Sequence, residues 1–469
     1  MLQPSRGVAV VVAMAFLAGC TTLPEDGGFS PVREAVKQRA GAEVTWARSD
    51  AEREVLQARV AALLAKGPLS ADDAVQVALL NNRGLQASLA ELGIVGSDLL
   101  QSGRLPNPRV AIHRVPNEHH YKLEQAISFN VLSLAFMPRA TDVEKRRFAA
   151  AQQRATLEIL RLAAETRRAW VAAVAARESL AYLQRVRLAA EASAELAARM
   201  AKAGNFNALA RAREQGFYAD AALAVARGEQ AANASREHLT RLLGLWGTPA
   251  DFALPDRLPD LPAAATDRPN IEREAIVQRL DVQAAVSDTE AVASNLGLTR
   301  ATRFINVLEL GVSREKEGRD EPWTRGYEIS LEIPLFDWGT SRVAKAESIY
   351  RQSVDRAAQV AVEARSEVRE AYRHYRMAHD IARHYRDEIV PLKKKVSEEN
   401  LLRYNGMLIG VFDLLADARS QVLSVTGYVD ALRDFWLAEA NLRMAMIGRP
   451  VAAALSAPAQ AAPEAGGGH

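Results

Sequence analysis

The sequence predicts a mainly α-helical fold with a small β part, built as two copies of one unit, and three observations carry that expectation. The stretch Gly204-Asn-Phe-Asn-Ala-Leu-Ala-Arg-Ala-Arg-Glu-Gln215 recurs as Gly410-Val-Phe-Asp-Leu-Leu-Ala-Asp-Ala-Arg-Ser-Gln421. Its offset is 206 residues (410 − 204), and Leu85-Gln86-Ala87 recurs as Val282-Gln283-Ala284 at an offset of 197 (283 − 86). A duplicated unit of about two hundred residues is the simplest reading. Second, a period of two, the mark of a strand with one apolar face, occurs once in each copy. Third, the stretches between are long, alanine-rich and heptad-patterned, as in coiled coils.

With 49% hydrophobic and 25% charged residues, the 469-residue chain can bury a sizeable core. Lys and Arg number 59 against 57 Asp and Glu, so no electrostatic footprint for nucleic acid is present. The single cysteine, Cys20, excludes an internal disulfide framework and any Cys-rich metal site.

Residues 1–19 carry Arg6 and then the apolar run Val8 to Leu17, the pattern of a signal peptide. The run closes in Leu17-Ala-Gly-Cys20, which resembles a bacterial lipobox, and lipidation of Cys20 is expected. That covalent lipid is the only attached group expected; no other cofactor is. Residues 20–67 read as an N-terminal anchor extension with a helix near Asp50 to Lys66. Repeat 1 follows over 68–247. Its first helix opens at Ser70, with Asp73 completing an approximate capping box, and is expected to run to about Gly103.

The strands of repeat 1 fall at about 109–134. Leu123, Ile127, Phe129 and Val131 alternate with polar or small residues, and Val110 and Ile112 suggest a preceding strand joined through Pro116-Asn117. A long helix is expected from about Thr141 to Ala203. The proline-rich segment 248–269 reads as a linker, and 270–450 as repeat 2, with strands at about 304–336. Tyr327, Ile329, Leu331 and Ile333 alternate there with Glu328, Ser330 and Glu332, after a turn at Glu317 to Asp320. From Arg342 to Leu402 a heptad seam through Tyr350, Ala357, Ala364, Ala371, Ala378 and Tyr385 predicts one sustained helix. Residues 451–469 read as a disordered tail.

Four strands cannot close a barrel, and an exposed sheet edge cannot sit in lipid. The strands are nevertheless long enough to cross a membrane when tilted, so several chains pooling their hairpins would satisfy every edge. Packing of the apolar faces against protein is the other option.

Ile333-Pro-Leu-Phe-Asp-Trp-Gly339, Tyr404-Asn-Gly-Met-Leu-Ile-Gly-Val-Phe-Asp-Leu-Leu415 and Arg279-Leu-Asp-Val282 resemble the signatures of the outer-membrane efflux factor (TolC-like) family, over roughly Leu69 to Pro450. The resemblance implies a homotrimer in the outer membrane. Three chains would give a 12-stranded β-barrel and a trimeric α-barrel of coiled-coil hairpins reaching into the periplasm, working with a periplasmic adaptor and an inner-membrane pump. The first hairpin departs from the pattern, leaving through Asn130-Val-Leu-Ser-Leu-Ala-Phe-Met-Pro138.

The family's acidic constriction at the periplasmic entrance maps onto Asp413; its second position is Ala416, with Asp417 one residue late. As turn chemistry, Gly204 and Gly410 suit left-handed helix ends, and Asn207 and Asp413 suit N-caps. Asn205, Phe206, Met407, Leu408, Ile409, Gly410 and Val411 are the expected adaptor-docking tips, being apolar or small where a solvated loop would be polar.

No catalytic constellation is present, and an enzyme is not expected. His374, His379 and His384 are spaced by five, which does not share a helix face, so they read as polar surface residues and not as a metal site. His113, His119 and His120 on the first hairpin lean faintly toward metal-ion export. The expected function is a lipid-anchored passive conduit exporting small molecules or metal ions; the alternative is a periplasmic lipoprotein scaffold or adaptor with no pore.

Overall fold

The computed structural model describes residues 24–116, 121–247, 252–304, 307–318 and 321–450. The signal peptide, Cys20, His119, His120, the Arg319–Asp320 part of the second turn and the 451–469 tail lie outside the described residues. In order, the elements are α1 Ser30–Ala40, α2 Asp50–Leu64, α3 Ala71–Asn81, α4 Arg83–Ser102, β1 Arg109–Pro116, β2 Tyr121–Asn130, α5 Val131–Lys202 and α6 Ala208–Leu243. The second half has α7 Ile271–Gln278, α8 Leu280–Ala301, β3 Leu308–Glu317, β4 Thr324–Leu331, α9 Thr340–His384, a π-helical turn Tyr385–Ile389, α10 Val390–Asn405 and α11 Val411–Ala445. No helix among the described residues is long and apolar enough to cross a membrane.

The chain divides into two compact units. One comprises Met1–Gln57, Asn82–Ile159 and Arg273–Ser366 and holds the sheet; the other comprises Ala58–Asn81, Leu160–Glu272 and Glu367–His469.

In the sheet-bearing unit the N-terminal extension is packed, not loose. Its first helix, α1, has no counterpart in the sequence expectation; Pro31 occupies its first turn, where the missing N–H is no loss. Phe29, Val32, Val36 and Val44 are buried. Gln86 holds the irregular segment after α1 with both ends of its amide, donating to the Thr45 carbonyl (2.9 Å) and accepting from the Ala47 N–H (3.0 Å).

The helix expected from Ser70 to Gly103 is two. Asn82 adopts an extended conformation and its side chain accepts from the Leu85 N–H at 2.9 Å, starting α4 afresh. The second repeat breaks in the same way at Arg279, and 279 − 82 = 197 reproduces the offset of the earlier sequence match. Arg279 is fully buried, paired with Asp281 at 2.6 Å and donating to the Ala364 carbonyl, so the Arg-Leu-Asp motif is a clamp at a helix junction.

The first hairpin leaves its sheet without a loop. The Asn130 side chain accepts from the Ser133 N–H at 2.8 Å, so α5 starts at Val131, ten residues before the expected Thr141, and residues 131–134 are helix and not strand. The second hairpin ends at Leu331, short of 336, and Ile333-Pro-Leu-Phe-Asp-Trp-Gly339 forms a turn. Its glycine is required there: φ is +70°, and a Cβ would sit 2.6 Å from the Arg303 carbonyl oxygen. The Asp337 side chain accepts from the Gly339 N–H at 2.8 Å, completing the Asp-x-Gly turn that opens α9.

In the other unit, the single helix expected over Arg342–Leu402 is interrupted by the π turn. Pro391, lacking an N–H, stands two residues beyond it, and the Tyr385 ring lies where a Cβ on Gly427 would be 2.8 Å away. The seam residue Ala378 is buried, as are Val368, Tyr375 and Ala382, which lie four places on from Ala364, Ala371 and Ala378 and complete the heptad pattern. The proline-rich linker is a packed strap: Phe252, Leu254, Leu258 and Leu261 are buried. Trp436 donates to the Pro259 carbonyl at 3.0 Å and Glu178 accepts from the Leu258 N–H at 3.0 Å. Burial pushes the Glu178 carboxyl up, and that N–H pulls it back. His379 is not a surface residue. The strap buries it, and its Nε2 donates to the Pro262 carbonyl at 3.1 Å.

Candidate functional site

The two hairpins pair through β2 and β3 into one antiparallel sheet of order β1-β2-β3-β4. Because alternate residues point to opposite faces, the register assigns every side chain. Val110, Ile127, Val312 and Tyr327 form one row across all four strands; Phe129, Leu310 and Ile329 form the next, and Leu308 with Leu331 the last before the helices. These apolar side chains are exposed, with Tyr327 at 90% and Ile329 at 72% relative accessibility, although Leu308 is half-buried. The opposite face carries Glu124, Glu309, Glu315, Glu317 and Glu328 among small residues. His113 lies on that face as well, opposite Glu124. Among the described residues no His, Cys, Asp and Glu side chains gather as a metal site.

Each long helix pair ends in a turn, and both turns lie in the second unit. After α5, Gly204 takes φ +79°, its N–H bonds the Ala201 carbonyl at 3.1 Å and the Asn205 N–H bonds the Met200 carbonyl at 3.0 Å. After α10 the same pair of bonds forms around Met407, with φ +59°: its N–H meets the Tyr404 carbonyl at 2.9 Å and the Leu408 N–H meets the Arg403 carbonyl at 2.8 Å. Both are Schellman endings. The expectation that Gly410 is left-handed is therefore wrong; it is extended (φ −79°, ψ 163°) and is the N-cap position of α11. Asp413 is likewise not an N-cap. It stands in the first turn and its carboxylate reaches back to accept from the Gly410 N–H at 3.1 Å, whereas Asn207 is an N-cap, accepting from the Ala210 N–H at 2.7 Å.

The equivalence of the two turns thus differs from that of their sequences. Gly204 corresponds to Met407 and Asn207 to Gly410, both at an offset of 203 (407 − 204), three fewer than the identical residues give. Of the docking candidates, Met407 (93%) and Leu408 (77%) are the most open apolar residues, Asn205 and Gly410 are exposed, and Phe206, Ile409 and Val411 are half-buried. Asp413 is exposed; Asp417 is half-buried, and its Oδ2 is shielded and without a partner among the described residues.

Behind the tips is a cluster that sequence reasoning missed. Glu214 on α6 is buried, and Arg419 on α11 donates to both its carboxylate oxygens at 2.9 Å. Ser193 on α5 donates to the same carboxylate at 2.6 Å, and the Arg419 guanidinium lies 3.9 Å from the Phe217 ring centroid. The repeat identity Arg213/Arg419 was the available signal, but it pairs Arg419 with the wrong neighbour.

Residues 272–394 match the family described as outer membrane efflux protein. No curated protein matches the sequence significantly. Among solved structures, a membrane protein from Pseudomonas aeruginosa is similar at 19% identity and TM-score 0.69, covering 86% of this chain and 95% of that one. The outer membrane protein VceC from Vibrio cholerae is similar at 14% identity and TM-score 0.68, covering 81% and 96%. CusC, whose crystal structures concern folding and transmembrane channel formation, is similar at 17% identity and TM-score 0.67, covering 81% and 92%. The chain therefore has the fold of these membrane and channel structures, and its residues 272–394 resemble the family described as outer membrane efflux protein.

Proposed function

We propose that this chain is the channel subunit of an efflux system in the outer membrane, a passive conduit for small molecules or metal ions. The observation that carries the proposal is the sheet: one face bears three largely exposed apolar rows, the other is rich in carboxylates, and β1 and β4 are each paired on one side only among the described residues. Such edges are untenable in lipid, where each unsatisfied backbone group costs several kcal/mol. Three copies of the four strands would close them into a barrel. The helical tips, led by Met407 and Leu408, would dock a periplasmic adaptor that joins the channel to an inner-membrane pump supplying the energy. A lipid on Cys20 would anchor the mature N-terminus, and Asp413 would form a carboxylate ring at the entrance.

Fractionation tests this reading. The full chain is expected in the outer-membrane fraction as a trimer that dissociates on heating, and Cys20→Ala is expected to remove the lipid while sparing the trimer. A soluble periplasmic monomer would favour the scaffold alternative.

A further inference from the structure

The sheet sorts its charge by face, and among the described residues the cations of one face have no carboxylate partner. On the polar face like charges are neutralised locally: Glu124 and Glu315 are cross-strand partners, and the Lys122 ammonium reaches Glu315 at 2.7 Å. Arg109 similarly pairs with Glu309 at 3.1 Å. The apolar face carries Arg114, Arg314, Lys316 and Arg325 and no carboxylate in its register. Arg314 and Arg325 are direct cross-strand partners and both are exposed; among the described residues neither has a carboxylate partner. Like charges directly opposite one another destabilise a sheet, so the pair calls for an anion from outside.

The position and posture of these groups restrict what that anion is. Next to the wholly apolar rows comes the row of Ile112, Gln125, Arg314 and Arg325, where basic side chains first enter this face, and Arg114, Leu123 and Lys316 lie one row nearer the hairpin turns. Arg314 lies 4.7 Å from the Trp323 ring centroid, and its Nε donates to the Gln125 side chain at 2.8 Å. Arg114 lies 5.0 Å from the Tyr121 ring centroid. A guanidinium held over a ring keeps in-plane N–H groups free for oxygen anions, and its fork matches phosphate. Aromatic and basic residues at the rim of an apolar band are placed at headgroup level. A ligand meeting both halves of this surface is anionic at one end and apolar at the other.

We propose that Arg114, Arg314, Lys316 and Arg325 form a docking row for the phosphorylated headgroup of a lipid in the leaflet at the hairpin-turn end, with its acyl chains on the apolar rows. This rests on the sheet being the lipid-facing wall of a channel.

Native mass spectrometry of the purified full chain, titrated with diphosphoryl lipid A, monophosphoryl lipid A and phosphatidylcholine, tests it. Affinity should fall in that order, weaken with added salt, and drop about fivefold per arginine removed in R314Q/R325Q. R314K/R325K, which keeps the charge but loses the fork, should bind between R314Q/R325Q and the unaltered protein, and K122Q on the other face should leave binding unchanged. Equal binding of phosphatidylcholine, an R314Q/R325Q variant that binds like the unaltered protein, salt-insensitive binding, or displacement by inorganic phosphate as effective as by lipid A would each overturn the proposal. Membrane insertion is scored separately by fractionation. Failure to insert undoes the channel reading, whereas inserted protein indifferent to headgroup phosphate overturns only the lipid row.

Discussion

Replacing Met407 by glycine and Gly204 by alanine should move the two helical tips in opposite directions. Both residues hold the left-handed position of the same turn, at φ +59° and +79°. A side-chain-bearing residue there costs roughly 1–2 kcal/mol, offset by the roughly 0.5–1 kcal/mol of extra backbone entropy that a glycine loses on folding. Met407 is 93% exposed, so its removal sacrifices no packing, and a Cβ at Gly204 meets nothing within 4 Å, so no clash is added. What remains is backbone alone: Met407→Gly should stabilise its tip by about 0.5–1 kcal/mol and Gly204→Ala should destabilise its own by a similar amount. Amide hydrogen exchange reads this directly. The Leu408 N–H, bonded to Arg403, should exchange about two- to fivefold more slowly in the first variant, and the Asn205 N–H, bonded to Met200, correspondingly faster in the second. Shifts of the same sign, or faster exchange in Met407→Gly, would refute the assignment of these two positions to one geometry.

Gly339→Ala should cost about 2 kcal/mol or more, because a Cβ meets the Arg303 carbonyl at 2.6 Å and φ is positive; thermal unfolding that matches the unaltered protein would sink this account. Glu214→Ala strands the Arg419 guanidinium. Since the Arg419 side chain stays 31% exposed, the expected loss is about 2–3 kcal/mol and not the larger value of a fully buried pair, and Glu214→Ala with Arg419→Met should recover part of it in a double-mutant cycle. Asp413→Ala should reduce cation selectivity in single-channel recordings, and should also weaken the start of α11 by about 0.5–1 kcal/mol through the lost bond to the Gly410 N–H. Unchanged conductance and selectivity would remove Asp413 from the entrance.

The hairpins were legible because alternation is local: Phe129 and Ile329 announce their faces from their neighbours. The pairing of β2 with β3 was not, since no short pattern links Ile127 to Val312, and the charge sorting becomes visible only with that register. The long helices were legible but their interruptions were not. The heptad seam continues through Tyr385–Ile389, and apolar residues continue across Asn82, so periodicity hides both breaks. The strap around 252–262 misled for the opposite reason: its prolines advertise a loop, while Phe252, Leu254, Leu258 and Leu261 find burial only in the assembled unit. Glu214 and Arg419 stand 205 residues apart, and only tertiary packing makes them partners.

The three-residue slip between the copies has a consequence for any ring of partners. Three residues advance a helix by about 4.5 Å and fall some 60° short of a full turn, so apolar faces tolerate the slip while surface residues change neighbours. A threefold assembly would therefore offer six turns of one backbone shape in two alternating chemistries, small and polar at Gly204-Asn205, greasy at Met407-Leu408. A sixfold partner would grip three of them differently from the other three, and a partner built of unlike pairs could tell them apart.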